Sequence, residues 1–167
     1  MKDTGRKSMS VTVWSNNPEL ASARFPGEFI SEDNPPKDNS YDIILLDHLI
    51  NQAKRGQVGE VMRFFMDKLV DGGQIVVTVP GLEWACKEIA AKDDAPIMAY
   101  LSVFGTDEEP HLCGLTLNWL RVVCESAGFF TVQAYAERYT VTINDKQEPA
   151  MQNVYIGLKR KPEEAIE

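Results

Sequence analysis

The sequence has few of the residues from which a disulfide framework or a cysteine metal site is built. Its 167 residues include three cysteines, Cys86, Cys113 and Cys124, and two histidines. The cysteines are odd in number and form no CxxC pair, so they indicate neither a disulfide framework nor a zinc site. We therefore expect a reduced, cytoplasmic protein without a structural metal.

Positive charge and long apolar runs are also scarce. Acidic residues outnumber basic ones by 25 to 17, for a formal net charge of −8. Duplex DNA and anionic membranes are bound through a broad basic surface that displaces counterions, so we expect neither as a partner. No apolar run approaches the length of a membrane span and the first nine residues are polar, which predicts no membrane segment and no signal peptide.

Residues 41–80 carry the strongest structural pattern. Two short apolar runs, residues 43–46 and 75–79, are rich in branched side chains, which is typical of strands buried on both faces of a sheet. Between them, apolar residues recur at spacings of three and four and predict a helix with one apolar stripe. The stripe consists of Val58, Val61, Met62, Phe65 and Leu69. Gly72 and Gly73 are expected to end this helix, which completes a β-α-β unit with parallel strands.

The residues before this unit predict a strand, a helix and a second strand. Residues 11–14 are a short strand candidate. Asn17 can cap a helix over residues 18–24, because an amide side chain and a following proline favour a helix start. Residues 28–30 suggest the second strand, and the polar residues 31–40 predict a loop.

Two segments after the unit favour helices, and a third is ambiguous. One is expected from Leu82, and another begins after Thr116 as the capping residue and ends at Gly128. Residues 97–104 are apolar enough for a buried strand or a helical turn, and periodicity alone leaves both open.

The last part of the chain predicts strands. Residues 129–135 and 154–158 are strand candidates, with residues 139–143 as a third, and residues 144–152 read as a turn-rich connection. Because no helix joins them, the last two strands should be antiparallel. The fold class expected is α/β: an open, doubly wound, mostly parallel sheet with an antiparallel C-terminal hairpin.

The chain length and the absence of repeats or linkers favour one domain. We expect it over residues 10–161, between a disordered start at residues 1–9 and a disordered tail at residues 162–167.

Three segments, taken together, resemble class I S-adenosylmethionine-dependent methyltransferases. Residues 38–42, DNSYD, followed by IILLDHL, are similar to the entrance of the family's fourth strand, which ends here in Asp47 and His48. Residues 68–84, KLVDGG followed by QIVVTVPGLEW, are similar to its L-x-PGG turn and fifth strand. Residues 111–116, HLCGLT, ahead of a helix ending in AGF, are similar to its H-x-x-GFT segment. The order and spacing of these segments make the resemblance fairly specific.

The resemblance covers residues 11–161 and is greatest to the small predicted methyltransferases of sugar and cell-surface biosynthesis. It implies a Rossmann-like methyltransferase fold. It also implies S-adenosylmethionine as the cofactor if the chain is active, and no cofactor otherwise.

The family's glycine-rich turn, G-x-G-x-G after the first strand, is missing from this sequence. Residues without a Cβ are needed there because the backbone approaches the methionine part of the cofactor. In one alignment residues 11–24 resemble the second strand and helix, so the fold is truncated at its N-terminus and Ser15 replaces the acid that binds the ribose. In another alignment residues 11–15 are the first strand, and Asn16 and Asn17 replace the glycines. The cofactor pocket is altered in both.

The resemblance also places the remaining site residues. Asp33 would face the adenine amino group, and Asp47 would border the cofactor and orient His48. His48 would accept a proton from the methyl acceptor, and His111 would line the acceptor side. Each has a structural alternative: a solvated loop acid for Asp33, a packed strand-end residue for His48, and an exposed loop residue for His111.

Two functions follow from this pattern. The first is a methyltransferase-fold protein that is degenerate in cofactor binding and acts as a binding or partner module. The alternative is an active methyltransferase on a small-molecule or glycan acceptor. A homo- or hetero-oligomer whose neighbouring subunit completes the sheet is compatible with both, because an absent strand would expose the edges of its neighbours.

Overall fold

Five strands form one mixed sheet in the computed structural model, which describes residues 8–12, 36–107, 110–143 and 145–160. The strands are β1 (Ser8–Thr12), β2 (Tyr41–Asp47), β3 (Leu69–Pro80), β4 (Phe129–Ile143) and β5 (Lys146–Lys159). Their order across the sheet is β1-β2-β3-β5-β4. The neighbours β1, β2 and β3 are parallel, whereas β5 is antiparallel to both β3 and β4. The described strands therefore mix parallel and antiparallel pairs equally.

Helices and short turns connect the strands. The helices are α1 (Val58–Lys68), α2 (Leu82–Ala91), α3 (Ile97–Phe104) and α4 (Leu117–Ser126). Two 3₁₀ turns, Ile50–Gln52 and Arg55–Gln57, join β2 to α1. The helix at α3 settles the choice that periodicity left open. Within the described residues, no helix combines the length and apolar character needed to cross a bilayer.

The predicted β-α-β unit is confirmed. β2 and β3 pair in parallel with Ile44 opposite Ile75 and Leu46 opposite Val77, and all four side chains are fully buried. The stripe of α1 packs on them through buried side chains at Val58, Met62 and Phe65. This packing forms the centre of the core, because apolar side chains on neighbouring elements leave water together.

The predicted end of α1 at Gly72 and Gly73 is wrong by four residues. The helix stops at Lys68, and Leu69 is already the first residue of β3. The chain then makes a bulge: Tyr41 lies opposite Leu69 but Ile43 lies opposite Gln74, so β3 holds three extra residues. Gly72 has φ 77° within this bulge, a conformation that favours glycine. The glycine signal was therefore correct for a turn, but the turn lies inside the strand.

The predicted loop over residues 144–152 is also wrong, because β4 and β5 form one long hairpin. The pairing runs from Phe129 opposite Lys159 to Ile143 opposite Lys146. β4 is likewise one strand rather than two. Since Pro80 of β3 lies opposite Gln152, the hairpin projects beyond the end of β3. Most side chains of this projection are exposed or half-buried, so the sequence has no strong apolar alternation that would have revealed it.

The first strand begins three residues earlier than predicted. Ser8 lies opposite Ile43 and Thr12 lies opposite Asp47, so Ser8, Met9 and Ser10 also belong to the sheet. The other elements predicted before residue 36, including the helix over residues 18–24 and the strand over residues 28–30, lie outside the described residues.

Tyr155 of β5 is a fully buried tyrosine on the α4 side of the core. Its hydroxyl oxygen lies 3.2 Å from Thr131 Oγ1, and its ring lies across Gly157, where an added Cβ would be 2.7 Å from Tyr155 Cε1. Burial raises the pKa of Tyr155 to about 12, because the phenolate would lose its hydration.

We expect this pKa to appear as a loss of stability at alkaline pH. A tyrosine in the unfolded chain has a pKa of about 10, whereas the pKa of folded Tyr155 is raised to about 12. The unfolded state therefore binds fewer protons in that window, and the free energy of unfolding falls as pH rises. Urea denaturation of the wild type and of Tyr155→Phe from about pH 9 to about pH 12 tests this. The variant should show a shallower fall, and equal slopes would contradict the assignment.

Candidate functional site

Three residues share one register at the carboxyl ends of the parallel strands. Thr12 of β1 lies opposite Asp47 of β2, which lies opposite Thr78 of β3. We call these three the strand-end row. Open α/β sheets bind their ligands outside the carboxyl ends of the strands, so this row marks the edge where a site is expected.

Thr78 fixes the predicted pair Asp47 and His48. Its hydroxyl donates to Asp47 Oδ1 at 2.5 Å, and its carbonyl accepts from the His48 N–H at 3.0 Å. Thr78 is only 8% exposed, whereas Asp47 and His48 are half-buried. The Asp47 carboxylate is therefore held in place by a buried donor while its side chain still reaches the surface.

His48 has a strained backbone. Its φ of 55° lies in the left-handed region, which costs a residue with a Cβ roughly 1–2 kcal/mol. Such strain persists only where the surrounding structure imposes it, and it is concentrated at functional sites. The imidazole Nε2 is shielded from solvent. The strand-end turn thus holds His48 in one orientation beside Asp47.

His111 lies on the segment between α3 and α4. Its Nδ1 is 3.1 Å from the Ser102 carbonyl oxygen, and its backbone N–H donates to the Phe104 carbonyl at 3.0 Å. A carbonyl oxygen only accepts, so Nδ1 carries the proton in this contact and the neutral ring has its basic nitrogen at Nε2. These contacts fix His111 against α3.

The two histidine-bearing segments meet at Asn51. Its carbonyl accepts from the N–H groups of Leu112 and Cys113, at 2.9 and 3.0 Å. Because Asn51 is three residues after His48 and Leu112 follows His111, the structure places both segments at the same end of the sheet. Two predicted cofactor-binding residues, Ser15 and Asp33, lie outside the described residues.

A buried polar network positions α4 beside this edge. Glu83 Oε1 accepts from the Leu117 N–H at 2.8 Å, and Glu83 Oε2 accepts from Asn153 Nδ2 at 3.1 Å. Asn153 Nδ2 also lies 3.2 Å from the Leu115 carbonyl oxygen, and Thr116 Oγ1 accepts from the Trp119 N–H at 3.2 Å. The carboxylate thus joins α2, β5 and the positive end of α4, where an anion is favourable.

Two cavities lie among the described residues at opposite ends of the sheet. One of about 440 Å³ lies beside the first turn of α4 and includes Cys113 in its wall. The other, about 810 Å³, lies near Phe129 and Lys159, which mark the amino end of β3 because Gln74 pairs with Leu158. Burial raises the pKa of the Cys113 thiol, and the nearby Arg55 charge acts in the opposite direction. The thiol is therefore protonated at neutral pH and is a poor nucleophile.

Comparison with known proteins identifies the fold but not a relative in sequence. No protein-family profile matches the chain, and no curated protein sequence does. Solved structures do. A proposed methyltransferase from Bacillus halodurans is similar over 95% of this chain and 94% of its own, with a TM-score of 0.59 and 10% identity.

Two further solved structures agree with this fold. A SAM-dependent methyltransferase from Methanosarcina mazei is similar over 92% of this chain and 82% of its own, with a TM-score of 0.55 and 13% identity. A phosphoethanolamine N-methyltransferase from Haemonchus contortus, solved with S-adenosylhomocysteine, is similar over 95% of this chain and 50% of its own, with a TM-score of 0.56 and 11% identity. The chain therefore has the α/β fold of S-adenosylmethionine-dependent methyltransferases.

Sequence reasoning missed several residues of this region. Thr78 could have been recognised as a candidate site residue, since it is the lone polar residue near the end of an apolar run. Glu83 and Asn153 are 70 positions apart, and Asn51 meets Leu112 only through the backbone, so no local pattern joins them. Contacts between distant segments are set by the topology rather than by spacing along the chain.

We expect the strain at His48 to be measurable as a difference between two substitutions. His48→Gly and His48→Ala both remove the imidazole, but only alanine keeps a Cβ at positive φ. The glycine variant should be more stable by about 1 kcal/mol in urea denaturation. Leu49, whose φ is −80°, is the matched control, and there alanine should be the more stable. Equal stability of the two His48 variants would contradict the assigned strain.

Asn153 should contribute strongly to stability. Asn153→Ala removes the buried amide between Glu83 and Leu115 and should lower the free energy of unfolding by about 1–3 kcal/mol. Gln152→Ala is the control, because Gln152 donates to Glu137 in an exposed pair and its loss should change stability by less than about 0.5 kcal/mol. Chemical denaturation measures both, and similar losses would argue against a buried network.

Proposed function

We propose that this chain is a binding or partner module built on a methyltransferase fold that no longer holds S-adenosylmethionine. The proposal is carried by the segment that follows β1. After Thr12 the chain contains no glycine until Gly27. In sequence, every position that aligns with the family's glycine-rich turn therefore carries a Cβ, whereas the family needs backbone without Cβ atoms there.

The place of β1 in the sheet supports this interpretation of the turn. In the doubly wound fold the first strand lies beside the fourth. Since β2 resembles the family's fourth strand and pairs with Ser8–Thr12, this arrangement supports the alignment in which the first strand is present. Asn16 and Asn17 then stand where the glycines would be.

Weak retention of the cofactor removes most of what such an enzyme supplies. Methyl transfer requires the sulfonium carbon to be held in line with the acceptor atom, and correct positioning accounts for a large part of the rate. A chain that does not hold the donor keeps the sheet, the polar strand-end row and its surfaces. These features suit the recognition of a ligand or a second protein, including another copy in an oligomer.

An active methyltransferase on a small-molecule or glycan acceptor is the second candidate, and two observations favour it. His48 is held in a strained conformation beside Asp47, which is where a proton acceptor would be useful. In the alignment with the first strand present, Asp33 follows the predicted strand over residues 28–30. The resemblance implies that an acid at this place would face the adenine amino group of the cofactor. A partner subunit that completes the pocket is compatible with this function.

Titration with the methyl donor separates the two functions. We expect no rise in melting temperature with S-adenosylmethionine or S-adenosylhomocysteine, and no heat of binding in calorimetry. A ligand at 100 times its Kd would stabilise the folded state by about 2.7 kcal/mol, which a thermal shift detects readily.

A clear shift would support the active enzyme, provided that it depends on the predicted site. Asp33→Asn and Asp47→Asn should then abolish it. Asp71→Asn, an exposed acid near the other end of β3, should leave it unchanged.

A further inference from the structure

The smaller cavity has the form of a binding site for a small organic anion. Its volume is about 440 Å³, and it is an open pocket bordered by residues from the turn before α1, the segment before α4 and the first turn of α4. The lining residues are Arg55, Leu112, Cys113, Gly114, Thr116 and Trp119.

Arg55 supplies the positive charge. Its guanidinium carbon lies 4.8 Å from the centre of the Trp119 ring, which holds the group by a cation–π contact. Within residues 36–107, 110–143 and 145–160, Arg55 makes no ion pair with a carboxylate. The exposed guanidinium thus keeps N–H donors available in the fork geometry that matches a carboxylate or a phosphate.

The other walls suit an apolar or aromatic body. Trp119 is half-buried, Cys113 is buried and Leu112 is 53% exposed, so a large apolar side chain remains uncovered at the rim. Gly114 also lines the cavity, and it packs closely on Leu82, since a Cβ there would lie 2.9 Å from Leu82 Cδ2. A ligand that covers Leu112 and Trp119 would remove apolar surface from water.

The amino end of α4 contributes little to anion binding here. Thr116 Oγ1 already accepts from the Trp119 N–H, and the Leu117 N–H donates to Glu83. Glu83 does not line the cavity, and its second oxygen accepts from Asn153. Charge recognition therefore depends on Arg55.

Asn51 links the cavity wall to the strand-end row. Its carbonyl accepts from Leu112 and Cys113, so the wall is fixed to the turn that follows His48. The Asn51 side chain is only 2% exposed, and neither Nδ2 nor Oδ1 has a hydrogen-bond partner among the described residues. Leaving a buried amide without hydrogen-bond partners is costly to the folded state.

We propose that this cavity binds a small molecule in which a carboxylate or a phosphate monoester is attached to an aromatic or apolar body. Arg55 binds the anionic group, and Trp119 and Leu112 cover the body. The inference rests on the proposed function and deepens it, since it names the ligand chemistry that a binding module on this fold would recognise.

Proton–nitrogen NMR spectra with four probes test the proposal. Benzoate and phenyl phosphate carry both parts of the expected ligand, benzyl alcohol lacks the charge, and inorganic phosphate lacks the body. The first two should shift the Trp119 indole signal and the Leu112 and Cys113 amides in a saturable manner. Benzyl alcohol and inorganic phosphate should bind more weakly than either.

Substitutions at Arg55 assign the effect to the cavity. Arg55→Gln should weaken benzoate binding by about tenfold or more, because a charge-assisted pair is lost. Arg55→Lys should keep part of the affinity, since the charge remains without the fork. Arg63→Gln on α1 removes an equal charge from an exposed position outside the cavity and should leave the Kd unchanged.

Four results would overturn the proposal. The first three are unchanged benzoate binding in Arg55→Gln, binding of benzyl alcohol as tight as that of benzoate, and no shift at Trp119 with either aromatic anion. Inorganic phosphate binding as tightly as phenyl phosphate would also refute it, because the body would then contribute nothing. The proposed function is tested with S-adenosylmethionine instead. If the protein binds both benzoate and the methyl donor, this inference stands and the proposed function is refuted.

Discussion

Burial of two adjacent parallel strands on both faces is the constraint on which the rest of the structure depends. β2 and β3 bring Ile44, Leu46, Ile75 and Val77 together on one face of the sheet with almost no exposure, and Leu45 on the opposite face is only 7% exposed. Parallel pairing also brings the carboxyl ends of both strands to one edge. Asp47 and Thr78 meet there for this reason, and the turn after Asp47 is placed beside the segment that leads into α4. The buried core and the candidate site thus both follow from the parallel pairing of β2 with β3.

Much of this fold is readable from the sequence because its signals are local. The period of α1, the cap at Thr116, the glycine at position 128 and the apolar runs of β2 and β3 each describe a short segment, and each element is present. The errors arise where the signal is not local. A glycine such as Gly72 permits a turn, but the sequence does not decide whether that turn ends a helix or forms a bulge in a strand. The projecting hairpin pairs polar strands that cover little of the core, so hydrophobic alternation could not reveal it.

The candidate site was predictable only as far as single segments reach. Asp47 and His48 follow a buried strand, so their place at a strand end could be predicted, and Thr78 was within reach as a polar residue in an apolar run. The hydrogen bond between Asp47 and Thr78 depends on register, and the left-handed backbone of His48 depends on the turn that follows it. The contact of Arg55 with Trp119 joins residues 64 positions apart, one in the 3₁₀ turn before α1 and the other in α4. A site built from two segments that are distant in sequence can be recognised only once the fold is known.

The part of the β4–β5 hairpin that projects beyond Pro80 can unfold separately from the central strands of the sheet. Among the described residues of this projection only Ala150 is buried, and a two-stranded ribbon with little core of its own is marginally stable in water. Its backbone hydrogen bonds can therefore open in fluctuations that leave β2 and β3 intact, so its amide protons will exchange with solvent long before those of the central strands. β4 is also a long edge strand of the described sheet. A partner that paired with β4 would protect the amide protons of the hairpin, so their exchange would slow before that of any other segment.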